Sequence, residues 1–271
     1  MTFHSFEIMK YFSTLLLFLF AVRCFGITET QFVSTNQTQS ISTNLLKAVK
    51  ASPTPPPKWD GTMTLGLTAT AGNVDSVLAA AKVTAQKKTP KDSWNMGADG
   101  AYGEVSSVKS AESAHGFSQY NHIFIDDTWY GYGRAEGWHD AIANVAYRLM
   151  SGGGAGYYFI KNKMTTFSGE AGPAIQVEQL DDEYHNYPTA RLAESFERKI
   201  DEHARVWENL QILPPLTMPD AFLINAEVGV ETPLTHELSW QTYLQDNFAN
   251  QPAPGFKDND LKVVSGVVFK F

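Results

Sequence analysis

The stretch Leu261-Lys262-Val263-Val264-Ser265-Gly266-Val267-Val268-Phe269-Lys270-Phe271 decides the fold. Successive side chains of a strand point to opposite faces. Leu261, Val263, Ser265, Val267, Phe269 and Phe271 therefore share one face, and Lys262, Val264, Gly266, Val268 and Lys270 the other. A soluble protein rarely ends on an aromatic residue in a strand with one wholly apolar face. A strand that closes a barrel in a bilayer ends this way readily, because the apolar face meets lipid and the backbone pairs with the first strand. The same stretch also reads as the last core strand of a β-sandwich.

Upstream, the period-two pattern recurs. From Trp59, residues Met63, Leu65, Leu67, Ala69 and Ala71 alternate with Thr62, Thr64, Gly66, Thr68 and Thr70. After a turn at Gly72-Asn73, Val77, Ala79, Ala81, Val83 and Ala85 face away from Lys82, Thr84 and Gln86. The pattern predicts strands near 59–71, 76–87, 94–104, 116–125, 128–136, 141–159, 164–178, 189–200, 204–212, 221–231, 237–246 and 261–271. Twelve is an even number, as a single-chain barrel with both ends on one side requires. Connections at 88–92, 126–127, 161–163, 201–203 and 233–236 read as short turns, those at 105–115, 179–188, 213–220 and 247–260 as longer loops, and those at 72–73 and 137–140 as short exceptions. Trp59, Trp94, Trp129, Tyr130, Tyr157, Tyr158, Trp240, Phe269 and Phe271 fall near strand ends, where an interfacial girdle would place them.

The net charge of -8 opposes nucleic-acid binding, which needs a basic patch. Residues 1–26 read as a cleaved signal peptide: Lys10 precedes the apolar core 15–22, and Cys24 and Gly26 offer small residues before the cut. A lipid anchor at Cys24 is opposed by Arg23. Cys24 is the only cysteine, so the mature chain would carry no disulfide. Residues 27–58 are rich in Ser, Thr, Gln and Asn and close on Pro53-Thr-Pro-Pro-Pro57, the composition of a disordered periplasmic arm. Residues 59–271 form the barrel. No run of about 18 apolar residues follows the leader.

The ending resembles the carboxy-terminal signature of bacterial outer-membrane proteins, a final Phe with apolar residues at alternate positions before it. Phe271, Phe269 and Val267 are then its assembly signal. Over 59–271 the chain also resembles the DUF481 (YdiY-like) family, described as salt-induced outer-membrane proteins. The resemblance rests on Trp59-x-Gly61, Leu65-Gly66, Gly72-Asn73, the block Asn144-Val-Ala-Tyr-Arg148 with Gly154-Ala-Gly-Tyr157, and Gly169-Glu-Ala-Gly172. It implies an all-β transmembrane antiparallel up-and-down barrel in the outer membrane of a Gram-negative bacterium, and supplies no catalytic residues.

Charge concentrates on the lumen parity. Arg134, Glu136, Arg148, Glu170, Glu178, Arg191, Glu197, Lys199, Arg205, Glu227 and Glu231 mostly lie there. Folding 141–178 about Asn162 sets Arg148 opposite Gln176 with Glu178 one diagonal away, and folding the strand at 189–200 onto that at 204–212 brings Arg205 opposite or diagonal to Glu197. The lumen ion-pair candidates are thus Arg148, Glu170, Glu178, Arg191, Glu197, Arg205 and Glu227. Such pairs fill a narrow barrel; left unpaired they would line a selective channel. His115, His122, His139, His185, His203 and His236 read as scattered, mostly in turns, with no spacing for a serine hydrolase or a metal. Ser151-Gly-Gly-Gly-Ala-Gly156 lacks the Lys-Ser/Thr and the helix of a phosphate loop, and instead permits a bend or a close approach. The sequence therefore predicts no enzyme, no cofactor and no metal, with outer-membrane lipid and the β-barrel assembly machinery as partners. Three functions stay open: a structural or salt-stress barrel with a plugged lumen, a small-solute channel, and a soluble periplasmic β-sandwich that binds a ligand.

Overall fold

The computed structural model describes residues 58–70, 76–201 and 203–271. The leader at 1–26, the arm as far as residue 57, the turn at Gly72-Asn73 and Glu202 lie outside the described residues. Among the described residues there are twelve strands: β1 (Trp59–Thr70), β2 (Ser76–Lys88), β3 (Asp92–Val105), β4 (Val108–Ile125), β5 (Trp129–Asp140), β6 (Val145–Lys161), β7 (Thr165–Leu180), β8 (Glu183–Lys199), β9 (Arg205–Leu213), β10 (Leu223–Pro233), β11 (Leu238–Ala249) and β12 (Asn259–Lys270). Each pairs antiparallel with its sequence neighbour, and β1 pairs with β12 to close the barrel. Closure into a single sheet removes the sandwich reading, which needs two sheets packed face to face.

The barrel is inside-out relative to a soluble domain. Ile175 is 59% exposed while its neighbour Gln176 is 1% exposed. Leu65, Leu67, Val83, Leu149, Leu192, Val230, Leu261 and Val263 are likewise exposed on the outward parity. The inward parity buries Gln119, Glu136, Glu178, Arg191 and Glu231 beside Tyr132, Met150, Trp207 and Tyr243. A polar lumen and an apolar outer band are what a bilayer demands of a barrel. Trp59, Trp94, Trp129 and Trp240 are exposed and sit at or near strand starts, all at the end that carries both described chain ends. Two of the expected girdle residues are not part of it: Tyr130 and Tyr158 take the inward parity and pack on each other at 4.8 Å.

Two of the expected long loops are two-residue turns. Ser106-Ser107 joins β3 to β4 and Asp181-Asp182 joins β7 to β8, with both residues of each pair at positive φ. This backbone matches the right-handed strand twist. The chain beyond them, 108–115 and 183–188, is strand without an apolar face. Hairpin tips that outgrow the hydrocarbon layer meet water on both sides, so no hydrophobic alternation marks them. Long connections remain at 214–222 and 250–258.

The glycine run in β6 serves a close approach. A Cβ on Gly154 would lie 2.2 Å from the Ala171 carbonyl oxygen, and one on Gly172 would lie 2.2 Å from that of Gly153. The β6 and β7 backbones meet where neither strand carries a side chain.

The closing seam is short. Its ladder runs from Thr62↔Lys270 to Gly66↔Gly266, whereas β1 and β2 pair along the whole of β1. Phe271 extends it: the Gly61 N–H donates to the Phe271 carbonyl at 2.8 Å, the Phe271 N–H donates to Gly61 at 3.0 Å, and the ring lies where a Cβ on Gly61 would be. Deleting Phe271 removes both bonds, worth together about 2 kcal/mol. The thermal midpoint of the detergent-folded barrel, followed by circular dichroism, should then fall by roughly 4–8 °C. An unchanged midpoint would mean that the seam does not limit stability.

Candidate functional site

The lumen side chains form connected networks. At the mouth near the chain ends, Glu231 accepts Lys270 at 2.6 Å and Arg205 at 2.6 Å, and Arg205 also reaches Glu197 at 3.2 Å. Ser195 and Asn209 are exposed although they face inward, so solvent enters from this mouth. Deeper, Lys82 of β2 meets Glu227 of β10 at 2.7 Å, and the Trp207 indole N–H donates to the same carboxylate at 2.9 Å.

The central network is the largest. Glu170 accepts Arg191 at 2.6 Å, Gln119 at 2.7 Å and the Tyr130 hydroxyl at 2.9 Å. Glu136 accepts Arg134 at 2.7 Å and Gln211 at 3.2 Å, and faces His115 Nε2 at 2.8 Å. Arg191 joins the two carboxylate clusters by donating from Nε to Gln211 at 2.7 Å. Nearer the other mouth, Arg148 lies 2.5 Å from Glu178, which also accepts the Tyr187 hydroxyl at 2.5 Å.

All seven charged candidates read from the sequence therefore stand in the lumen, each within 3.2 Å of an opposite charge. Phe271, Phe269 and Val267 stand on the outward parity at the seam, where Phe269 pairs with Met63 and Val267 with Leu65. The register of β6 and β7 differs from the expected one. Arg148 faces Glu178 directly, and Met150 faces Gln176. The turn runs through residues 162–164, and a bulge between Tyr158 and Ile160 shifts the ladder, which displaces the pairing by two residues.

Some participants were not legible. Lys82, Gln119, Gln211 and Lys262 have the inward parity in the sequence, but their partners lie on non-neighbouring strands, and hairpin register says nothing of reach across a lumen. The histidines are also placed differently from expectation: His115, His122, His139 and His185 lie in strands, and only His203 and His236 lie in connections. His115 belongs to the central network. His122 sits on the outer surface, where Asp92 Oδ1 holds its Nδ1 at 2.7 Å and accepts the Tyr120 hydroxyl at 2.6 Å. No group of three His, Cys, Asp or Glu placed to hold a metal occurs among the described residues.

Two carboxylates depart from the lumen rule. Glu194 and Glu208 take the outward parity of β8 and β9. Glu194 borders an outer-surface depression of about 480 Å³ floored by Ala155, Gly169 and Ala171 and walled by Tyr157, Phe159 and Leu192. A second cavity, of about 100 Å³, is a vestibule under the 250–258 loop, with Asp99, His115, Trp138, Arg148, Asp260 and Lys262 among its walls.

Residues 63–271, the barrel from β1 to the final Phe, match the family described as "Protein of unknown function, DUF481". The chain belongs to the DUF481 family. This DUF481 chain is similar in structure to a NanC porin, at 9% identity and a TM-score of 0.48 over 78% of this chain and 98% of that one. It is also similar to the translocator domain of the autotransporter NalP from Neisseria meningitidis, at 12% identity and 0.43 over 79% and 87%. The KdgM porin is similar at 6% identity and 0.41 over 79% and 99%. No curated protein sequence matches the chain.

The networks differ in how far they are withdrawn from water. The Arg191 and Glu170 side chains are 5% and 11% exposed, against 35% and 45% for Arg205 and Glu197. Removing one partner of a buried pair leaves an uncompensated charge and costs about 3–5 kcal/mol, whereas a solvated pair contributes about 0–1 kcal/mol. Arg191→Ala should therefore lower the unfolding free energy in urea, measured from lipid vesicles, by about 3 kcal/mol or more. Arg205→Ala should lower it by about 1 kcal/mol, because Glu231 keeps Lys270. Equal losses would contradict this division of the lumen.

Proposed function

We propose that the protein is an integral barrel of a bacterial outer membrane whose lumen is closed by paired side chains. The observation that carries the reading is a set of links between non-neighbouring strands: Lys82 to Glu227, Gln119 to Glu170, Gln211 to Glu136, and Lys262 to Ser113 at 2.9 Å. Each ties strands three or four positions apart in the wall, across space a solute would use. The apolar outer band and the tryptophan girdle support a bilayer as the surrounding solvent. Outer-membrane lipid and the assembly machinery are its partners in this reading, and the residues carry no catalytic role. A structural part in the response to osmotic or salt stress, implied by the family resemblance, belongs to the same proposal.

A second reading, a small-solute channel, is favoured by the vestibule and by the solvated opposite mouth, which together leave only the bridged middle closed.

Conductance distinguishes the two. Protein recovered from the outer membranes of expressing cells should give little steady current in planar bilayers. The pair Lys82→Ala with Glu227→Ala should raise it severalfold, because that pair spans the lumen. Glu197→Ala with Arg205→Ala should raise it less, since those partners sit on adjacent strands at an already open mouth. Large, stable, ion-selective openings from the unmodified protein would give the channel reading first place.

A further inference from the structure

We infer that His115 is a proton-dependent latch on the closed lumen, exposed to the vestibule on one side and bound into the central network on the other. The inference rests on the closed-lumen reading above. His115 stands on β4 between Phe117 and Trp138, at ring distances of 6.0 and 5.5 Å. Its Nδ1 lies 2.8 Å from Asp99 Oδ1, and its Nε2 lies 2.8 Å from Glu136 Oε1. A neutral imidazole carries one N–H and one bare lone pair. In the neutral form, one carboxylate would therefore face a lone pair at hydrogen-bond distance. Only the doubly protonated ring donates to both.

The two carboxylates belong to different parts of the wall. Asp99 is on β3. Glu136 is on β5, beside Arg134, and is the acceptor for Gln211, which reaches it across the lumen from β9. On the same face of β4, two residues from His115, Ser113 accepts Lys262 from β12. Arg148 and Asp260 face His115 from the remaining vestibule wall. The imidazolium thus holds the two nearest acids at one junction of two lumen-spanning links. Its side chain is 19% exposed, so its proton exchanges with water in the vestibule.

The sign follows from the geometry. While the ring is charged, both hydrogen bonds stand and the junction is closed. When it loses a proton, Asp99 and Glu136 face a ring that satisfies only one of them, and the junction loosens. Closure therefore belongs to the acidic side of the His115 titration and opening to the alkaline side.

The test measures planar-bilayer conductance of the full barrel from mildly acidic to alkaline buffer, staying above the carboxylate range. Openings should be rare at the acidic end and about tenfold more frequent at the alkaline end, the change expected for an open–closed equilibrium that loses one charge-assisted bond. His115→Asn should open at every pH. His139→Asn, which alters a histidine bonded to the Ala146 carbonyl outside the network, should keep the pH dependence. A barrel silent at every pH overturns the latch and leaves the closed lumen standing. Steady opening at every pH overturns the closed lumen itself. A pH response that survives in His115→Asn assigns the switch elsewhere and also overturns the latch. Nitrogen NMR of the unmodified barrel gives an answer that does not depend on any variant folding: both ring nitrogens of His115 should be protonated at neutral pH, and a neutral tautomer there would refute the proposal.

Discussion

The constraint on which the rest of the structure depends is that a backbone in hydrocarbon has no water to bond. Each N–H and C=O must find a partner within the chain, so a sheet can span a bilayer only if it has no edges. Eleven hairpin pairings follow from sequence adjacency, but the twelfth, β1 to β12, joins strands almost two hundred residues apart. It is also the pairing with a short ladder and two facing glycines, Gly66 and Gly266. Phe271 adds backbone bonds and an aromatic cover where the ladder is thin. Phe271 is therefore part of the closure of the barrel.

Closure creates a second problem, because a barrel of this size encloses more space than apolar side chains of its inward parity fill. The solution here is polar. Carboxylates on β5, β7 and β10 each collect donors from more than one strand, so that Glu136, Glu170 and Glu227 act as junctions rather than as members of isolated pairs. A desolvated charge is costly alone and tolerable when several donors converge on it. Convergence also makes the arrangement collective, and any one donor is coupled to the others. Glu194 and Glu208 take the outward parity, one of the places where the outer face of the described strands is not apolar.

Most of the fold was legible because lipid on one side and polar side chains on the other imprint a period of two. Strand number, order and face came from that period, as Met63-Leu65-Leu67 and Val263-Val267-Phe269 show. The errors came where the period stops. Residues 108–115 and 183–188 are strand in water on both faces, so their polar sequence reads as loop. Tyr130 and Tyr158 sit near strand ends as girdle residues do, and only their parity betrays that they face the lumen. In the candidate site, neighbouring pairs such as Arg205 with Glu197 were within reach of hairpin register. The bulge at Tyr158 to Ile160 shifted Arg148 onto Glu178 directly, and bulges leave little trace in a glycine- and tyrosine-rich segment. Contacts between strands far apart in the wall, Lys82 with Glu227 foremost, depend on lumen diameter and side-chain length and were not legible at all.

A barrel set in a bilayer requires one parity of β12, and only one, to meet lipid. Spin labels placed singly at Lys262, Val263, Val264, Val267 and Val268, with Cys24 replaced, report collision with oxygen dissolved in the bilayer or with a water-soluble relaxant. The expected result is alternation: labels at Val263 and Val267 relaxed by oxygen, and labels at Lys262, Val264 and Val268 shielded from it. Equal water access at both parities, or oxygen access at the even positions, would contradict it.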